Sequence, residues 1–364
     1  MKLTFSILYS VIFVFIISCE KNPNEVQIRN NLWAISSPEA QQMNAQIVDS
    51  AFIKAKETKF IDGLLVIRNG KLVKQQYYNG YNAWQPHHIM SVSKSFLSAI
   101  TGIAFHQGYI DSLNEKVMDY FPEYIYPDMD PRKYDITIKH LLTMRMGIQG
   151  EADNNYGIYW NLYTSENWIK STIEMPLLFN PGEQMGYNTF ETHLLSAIIT
   201  KATKQSTLEF ADENLFKPMG IDCDAWEQDP QGYYFGGTSM YFTLQEMALF
   251  GYLYLKNGIL NDLQIVPKNW VELTLSPSTN NQHPNEWGAW KNYNYAWLWW
   301  LGQINDYDLF MAYGYGGQFI MVFPALNIII VTTSRYEVDS DTSTIQEWAI
   351  FDIVADYIIP SLIG

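Results

Sequence analysis

Cysteine is nearly absent from this chain of 364 residues: Cys19 and Cys223 are the only two. No Cys/His cluster has the spacing of a metal site, and no metal or other cofactor is expected. Cations are scarce too, with 23 Lys+Arg against 38 Asp+Glu and a formal net charge of -15. That balance argues against nucleic acid and against anionic lipid headgroups as partners. Internal repeats and low-complexity segments are missing. What is abundant is apolar and aromatic: 48% hydrophobic residues and 15% Phe, Trp and Tyr, enough for a sizeable core in one large domain or two subdomains.

The N-terminus opens with Lys2 and an apolar run, Ile7 to Ile17, ending in Ile16-Ile17-Ser18-Cys19. The run is shorter than the ~20 residues of a membrane-spanning helix. A basic start, a short apolar core and a small residue before the cut describe a secretory signal. The cysteine after the small residue resembles a bacterial lipobox. Residues 1–19 are therefore expected to be a lipoprotein signal peptide, with Cys19 lipidated, and polar residues 20–32 to be a tether. The expected location is the bacterial cell envelope, extracytoplasmic, with the membrane touched through the lipid anchor only. Cys223 is then left without a disulfide partner and reads as structural.

The stretch His88-Ile89-Met90-Ser91-Val92-Ser93-Lys94-Ser95-Phe96-Leu97 reads as a turn followed by a helix, with Phe96, Leu97, Ile100 and Ile103 at helical spacing. Ser91 falls where that helix begins and Lys94 lies one turn on, on the same face. A serine hydroxyl is a weak nucleophile until a base takes its proton. A buried lysine can lose its charge and become that base. N–H groups at a helix start can stabilise an oxyanion. The two-residue pattern is weak alone, since Ser18 and Lys21 match it as well. His87-His88 reads as structural, because sequence neighbours point apart.

Two apolar runs, Gly63 to Arg68 and Lys71 to Tyr77, flank Asn69-Gly70 and predict a β-hairpin. Helical patterns follow over Ile138 to Met144, Trp168 to Ile173, Thr192 to Thr203 and Leu244 to Leu255. Strands are expected at Asp308 to Tyr313, Gln318 to Phe323 and Ile328 to Thr333, with a turn at Pro324 to Asn327 and a closing helix at Gln346 to Tyr357. The expected fold is α/β (α+β): an antiparallel sheet built from both chain ends, flanked by helices, with a large helical insertion. The globular domain would span 33–364, its sheet part about 33–90 and 291–364 and its helical part about 91–290. The candidate nucleophile lies at the seam, where ligand clefts commonly form.

Several phrases, taken in order, resemble the serine β-lactamase and penicillin-binding-protein superfamily, and within it the class C-like hydrolases, esterases and 6-aminohexanoate-dimer hydrolases. They are Ser91-Val92-Ser93-Lys94-Ser95, Leu113 to Val117 with Tyr120-Phe121-Pro122, Ile136 to Thr143, Pro181 to Tyr187, Asp229 to Gly237, Ser239 to Phe250 and Gly314-Tyr315-Gly316-Gly317-Gln318. The resemblance implies the β-lactamase-like fold, Ser91 as the acylated nucleophile, Lys94 as general base and Tyr187 as proton shuttle. A cation beside the tyrosine would favour the phenolate. Where the family carries Tyr-x-Asn, this chain has Tyr187-Asn188-Thr189, which leaves Asn188 as a substitute substrate contact. The family's third motif falls on the glycine-rich stretch, with Gly317 and Gln318 as candidate oxyanion donors beside Ser91 N–H, and Tyr315 beside the substrate.

The expectation is an extracytoplasmic serine hydrolase that cleaves a small ester, amide or peptide-like substrate through an acyl-enzyme on Ser91. The alternatives are a class C-like β-lactamase or D,D-peptidase, and a non-catalytic binding lipoprotein of the same fold. The third motif lacks the Lys or His with which lactam-recognising relatives hold a carboxylate. Arg145 is a cation that could compensate. Tyr156, Trp160, Trp297 and Trp299 are rings that suit an apolar acyl group or belong to the core.

Overall fold

The computed structural model describes residues 32–152, 156–278 and 285–363. The expected signal peptide with Cys19, and the tether up to residue 31, lie outside the described residues.

An eight-stranded antiparallel sheet forms the centre. In chain order its strands are β1 (Ile61–Arg68), β2 (Lys71–Tyr77), β5 (Glu286–Trp287), β6 (Trp290–Tyr295), β7 (Trp300–Ile304), β8 (Tyr307–Gly314), β9 (Gln318–Phe323) and β10 (Ile328–Ser334). In space they run β2-β1-β10-β9-β8-β7-β6-β5, so the N-terminal hairpin joins the C-terminal strands through β1 and β10. A separate two-stranded ladder pairs β3 (His87–His88) with β4 (Tyr241–Phe242). The hairpin turn needs positive φ at both central residues, and Asn69 (51°) and Gly70 (71°) supply it.

Both sheet faces are buried, which is why the central strands read as continuous apolar runs. On β1, Leu65 and Ile67 face one core, while Leu64 and Val66 face the other. The same alternation places Ile320 and Val322 of β9 with the first pair, and Phe319, Met321 and Phe323 with the second. The second face is covered by α1 (Ala45–Thr58) and α6 (Ser340–Ile353). Helix α1 is an element the sequence reading did not anticipate; Val48, Ala51, Phe52 and Ala55 form its buried stripe, and Asn44 caps it.

The first face carries the helical part: α2 (Val92–His106), α3 (Ile138–Leu142), α4 (Thr189–Thr203) and α5 (Leu244–Leu255). Helix α2 is buried from Val92 to Ala104, with almost no solvent-facing side. Phe96 stacks on Phe250 of α5 and Phe242 of β4, with centroids 3.7 and 4.7 Å apart. A Cβ on Gly102 would sit 2.3 Å from the Trp270 ring, so glycine is what admits that indole. The serines of α2 serve the backbone of the segment before β7. Ser95 Oγ donates to Leu298 O at 2.7 Å and Ser98 Oγ to Trp297 O at 2.9 Å. These bonds fix α2 against the sheet and hold its N-terminus at the seam between sheet and helices.

Candidate active site

Met90, in the left-handed region at φ 50°, turns the chain into α2, and its N–H donates to His88 Nδ1 at 3.2 Å. The carbonyls of Ile89, Met90 and Ser91 take the N–H groups of Val92, Ser93 and Lys94. Among the described residues no acceptor takes the N–H of Ser91, which sits at the positive end of the helix. Ser93 Oγ is used internally. It donates to Met90 O at 2.8 Å and accepts from Met240 N at 3.3 Å.

Lys94 is 2% exposed, and its Nζ has three oxygen neighbours: Ser91 Oγ at 2.9 Å, Thr189 Oγ1 at 3.0 Å and Gly237 O at 2.8 Å. Burial pushes the ammonium down to about 8, with the Glu151 carboxylate pulling the other way. Glu151 is itself 4% exposed. Its Oε1 accepts from Thr189 N–H at 2.6 Å and its Oε2 from the Thr189 hydroxyl at 3.2 Å. Desolvation raises its pKa, and nearby Lys94 opposes the rise.

The proton positions in this chain of contacts follow from counting. Thr189 has one hydroxyl hydrogen, and the Glu151 carboxylate takes it. Thr189 Oγ1 must therefore accept from Lys94. Gly237 O can only accept. Two of the three Nζ positions are thus fixed as N–H, and the third faces Ser91. Charged, Lys94 donates to Ser91 there; neutral, it presents a lone pair to the Ser91 O–H.

Tyr187 lies across the same group, its ring centroid 4.9 Å from Lys94 Nζ and its hydroxyl against Ser91. Its phenol is not the expected phenolate. Poor hydration raises its pKa well above the ordinary value, and this outweighs the Ser91 hydrogen bond that lowers it. Tyr187 therefore stays a proton donor. Its carbonyl accepts from Glu151 N–H at 2.9 Å, which ties the segment carrying Glu151 to the segment carrying Tyr187.

The structure brings Ser91, Lys94 and Tyr187 together, but it places the expected substrate contacts differently. Asn188 is fully buried and caps α4: Oδ1 accepts from Phe190 N at 2.9 Å and Nδ2 donates to Gln149 O at 3.1 Å. Thr189, the departure from the family pattern, is instead the residue that reaches Lys94. The N–H of Gly317 closes a turn on Gly314 O at 3.2 Å, and a Cβ there would meet Ile350 at 2.3 Å, on the side of α6. Gln318 has its side chain engaged with Tyr315 O and with Ser334. The Gly317 N–H is therefore already used within the turn, and the Gln318 side chain is not free for substrate. The strand end still borders the site, since a Cβ on Gly314 would lie 2.6 Å from Ile89 O. Tyr315 packs edge-on against Tyr156 at 6.2 Å and donates its hydroxyl to Val338 O at 2.9 Å. Trp299 belongs to the core beside Tyr254, Trp160 is exposed, and Trp297 and Arg145 line a pocket of their own.

Glu151 was absent from the sequence expectations. Its only local signal is an acid three residues after Ile148, with Asp153 two residues on, and nothing there announces a partner at position 189. The histidines are structural as expected: His87 pairs with buried Asp62 at 3.1 Å, and the His88 ring lies between Tyr241 and Tyr336. Cys223 has its thiol pushed up to about 12 by burial, an unreactive state.

This geometry has known relatives. The 6-aminohexanoate-dimer hydrolase of Paenarthrobacter ureafaciens is 23% identical over 297 residues, covering 77% of this chain and 74% of that protein. Among solved structures, a Bacillus anthracis chain provisionally named a 6-aminohexanoate-dimer hydrolase superposes with a TM-score of 0.71 at 21% identity, covering 90% of this chain and 88% of that one. EstCE1, described as a hydrolase with promiscuous acyltransferase activity, gives 0.67 at 16% identity, covering 87% and 99%. At these identities the superpositions speak for the fold. The Beta-lactamase family model matches residues 53–355, most of the chain. The chain belongs to the Beta-lactamase family, whose shared fold serves serine hydrolases.

Proposed function

We propose that this chain is an extracytoplasmic serine hydrolase that cleaves an ester or amide bond through an acyl-enzyme on Ser91. The observation that carries the reading is the fixed set of acceptors around Lys94, which leaves one Nζ position free to serve Ser91. Neutral Lys94 takes the Ser91 proton as Oγ attacks the carbonyl carbon. The Ser91 N–H, without another acceptor, receives the developing oxyanion. A second donor comes from the end of β8, where Tyr315 N–H meets no acceptor among the described residues. Tyr187 donates its proton to the departing oxygen or nitrogen, and the proton held on Lys94 restores it. A water molecule then releases the acyl group by the same groups in reverse.

The name of the Paenarthrobacter relative, a hydrolase of a 6-aminohexanoate dimer, supports an amide-type substrate over a lactam. So does the stretch Gly314 to Gln318, which offers no cation for a lactam carboxylate. Replacing a charged contact by a neutral one costs about ten- to a hundredfold in affinity.

A serine-reactive acylating probe should add one mass at Ser91, lost in Ser91→Ala and kept in Ser93→Ala. In the same preparation, kcat/KM for a short-chain aryl ester or small amide should exceed that for a chromogenic cephalosporin. Labelling that survives Ser91→Ala removes the nucleophile; a cephalosporin value at or above the best ester replaces the reading by a β-lactamase. For the location we propose lipidation at Cys19. A fatty-acid analogue should label the wild type and miss Cys19→Ala, and an unlabelled wild type returns the segment to a plain signal peptide.

A further inference from the structure

Away from Ser91, an open pocket of about 680 Å³ lies between α3 and the segment before β7. Lys116, Lys139 and Arg145 line it, in a chain whose net charge is -15. The one carboxylate in its wall, Asp135, is 3.2 Å from Lys116. Among the described residues no carboxylate pairs with Lys139 or Arg145, and Arg145 Nε is buried without a hydrogen-bond partner. Lys139 Nζ lies 6.0 Å from the Trp297 ring, which forms an aromatic wall.

His140 reports the local field. Burial and the three cations Lys139, Lys116 and Arg145 push its imidazole down to about 4, with Asp135 the one group pulling up. It is neutral at pH 7. Its Nδ1 accepts from Thr137 N–H at 3.2 Å, so the ring proton sits on Nε2. A guanidinium, two ammonium groups and an imidazole N–H thus line one cavity, and all of them donate. Donors that share a single carboxylate, Asp135 on Lys116, fit a ligand that only accepts, and the planar guanidinium fork matches carboxylate and phosphate oxygens.

We infer that this pocket is an anion site that holds a small carboxylate or phosphate ligand between Arg145, Lys139 and Lys116. The ligand would relieve the repulsion among cations that have too few counter-ions. None of Ser91, Lys94, Glu151 and Tyr187 lines the pocket, so the site stands apart from the proposed hydrolysis. The two are linked by backbone: Gly182 N–H donates to Arg145 O at 2.8 Å in the pocket wall, and Glu151 N–H to Tyr187 O at 2.9 Å in the candidate active site.

The test is isothermal titration of the full-length protein at low ionic strength with inorganic phosphate and, separately, glutarate. Saturable binding of at least one is expected, weakened at least about tenfold in Arg145→Gln and in Lys139→Gln. Lys74→Gln, which removes a cation on β2, should leave it unchanged. Phosphate alone assigns a phosphate ligand, glutarate alone a carboxylate, and both a pocket that reads charge. The His140 imidazole signal should move during the titration. Lys139 is exposed and its substitution leaves the fold intact, so that variant decides the matter should Arg145→Gln fail to fold. No saturable binding of either anion overturns the inference, and so does binding that Lys139→Gln leaves untouched.

Discussion

Two places in this acidic chain turn on cationic nitrogens, one on a single lysine and one on a cluster, and they differ in what faces the nitrogen. At Lys94 the ammonium is shut away from water, enclosed by a hydroxyl, a carbonyl and a second hydroxyl, with its carboxylate one residue removed behind Thr189. Around Arg145 the cations stand in an open cavity whose one carboxylate, Asp135, is taken by Lys116. Enclosure without a directly touching counter-ion makes the charge expensive, so Lys94 drifts toward the neutral amine and toward base chemistry. Contact with water keeps the charge on the other group, which suits it to holding an anion. The same residue type serves two purposes, decided by whether water reaches it.

The sharpest break in that contrast is to remove the enclosed nitrogen. Lys94→Ala should lower kcat/KM for the best ester by about 10²–10⁴-fold, the usual contribution of a general base. A value near wild type in steady-state assays would mean that Lys94 is a structural cation. Tyr187→Phe should cost at least about 10²-fold on an amide, whose nitrogen needs a proton to leave, and less on an aryl ester. Equal losses on both substrates would show that Tyr187 acts by packing.

Glu151 tests why the charge is expensive. The carboxylate raises the Lys94 pKa, so Glu151→Gln should lower it further. A base works when neutral, and activity rises with pH through its pKa. The rising limb of kcat/KM against pH should therefore move to lower pH in the variant. A limb that stays in place, or moves up, would uncouple Glu151 from Lys94. The smallest effect concerns Asn188. As a helix cap its replacement by alanine should cost about 0.5–2 kcal/mol in denaturant unfolding, with KM little changed. A large KM increase at unchanged stability would restore it as a substrate contact.

Much of the fold was legible because it depends on local spacing. Asn69-Gly70 between two apolar runs specifies its hairpin turn through φ alone. Leu244–Leu255 begins where Thr243 and Glu246 form a capping box, at the boundary the pattern predicts. The strands Trp290–Tyr295 and Trp300–Ile304 were not anticipated, because their tryptophans and tyrosines are spread over both faces and leave no clean alternation. Helix α4 begins at Thr189, a turn earlier than the apolar pattern, since its first turn buries Thr189, Glu191 and Thr192. Polar residues that are buried for chemistry or capping look, in sequence, like a loop.

The sequence by itself determined that Ser91 and Lys94 share a helix face, because three residues along one helix is a fixed geometry. It also determined the hairpin, the main helices and the apolar strands that fill both sides of the sheet. Tertiary structure decided what makes the lysine a base. Thr189 and Gly237 reach Nζ across 95 and 143 residues of chain, and Glu151 meets Thr189 across 38. It decided too that Asn188 caps a helix, that Gly317 closes a turn on Gly314, and that Arg145 opens into a pocket of its own. Burial and long-range hydrogen bonding set these roles, and neither is encoded by the spacing of neighbours along the chain.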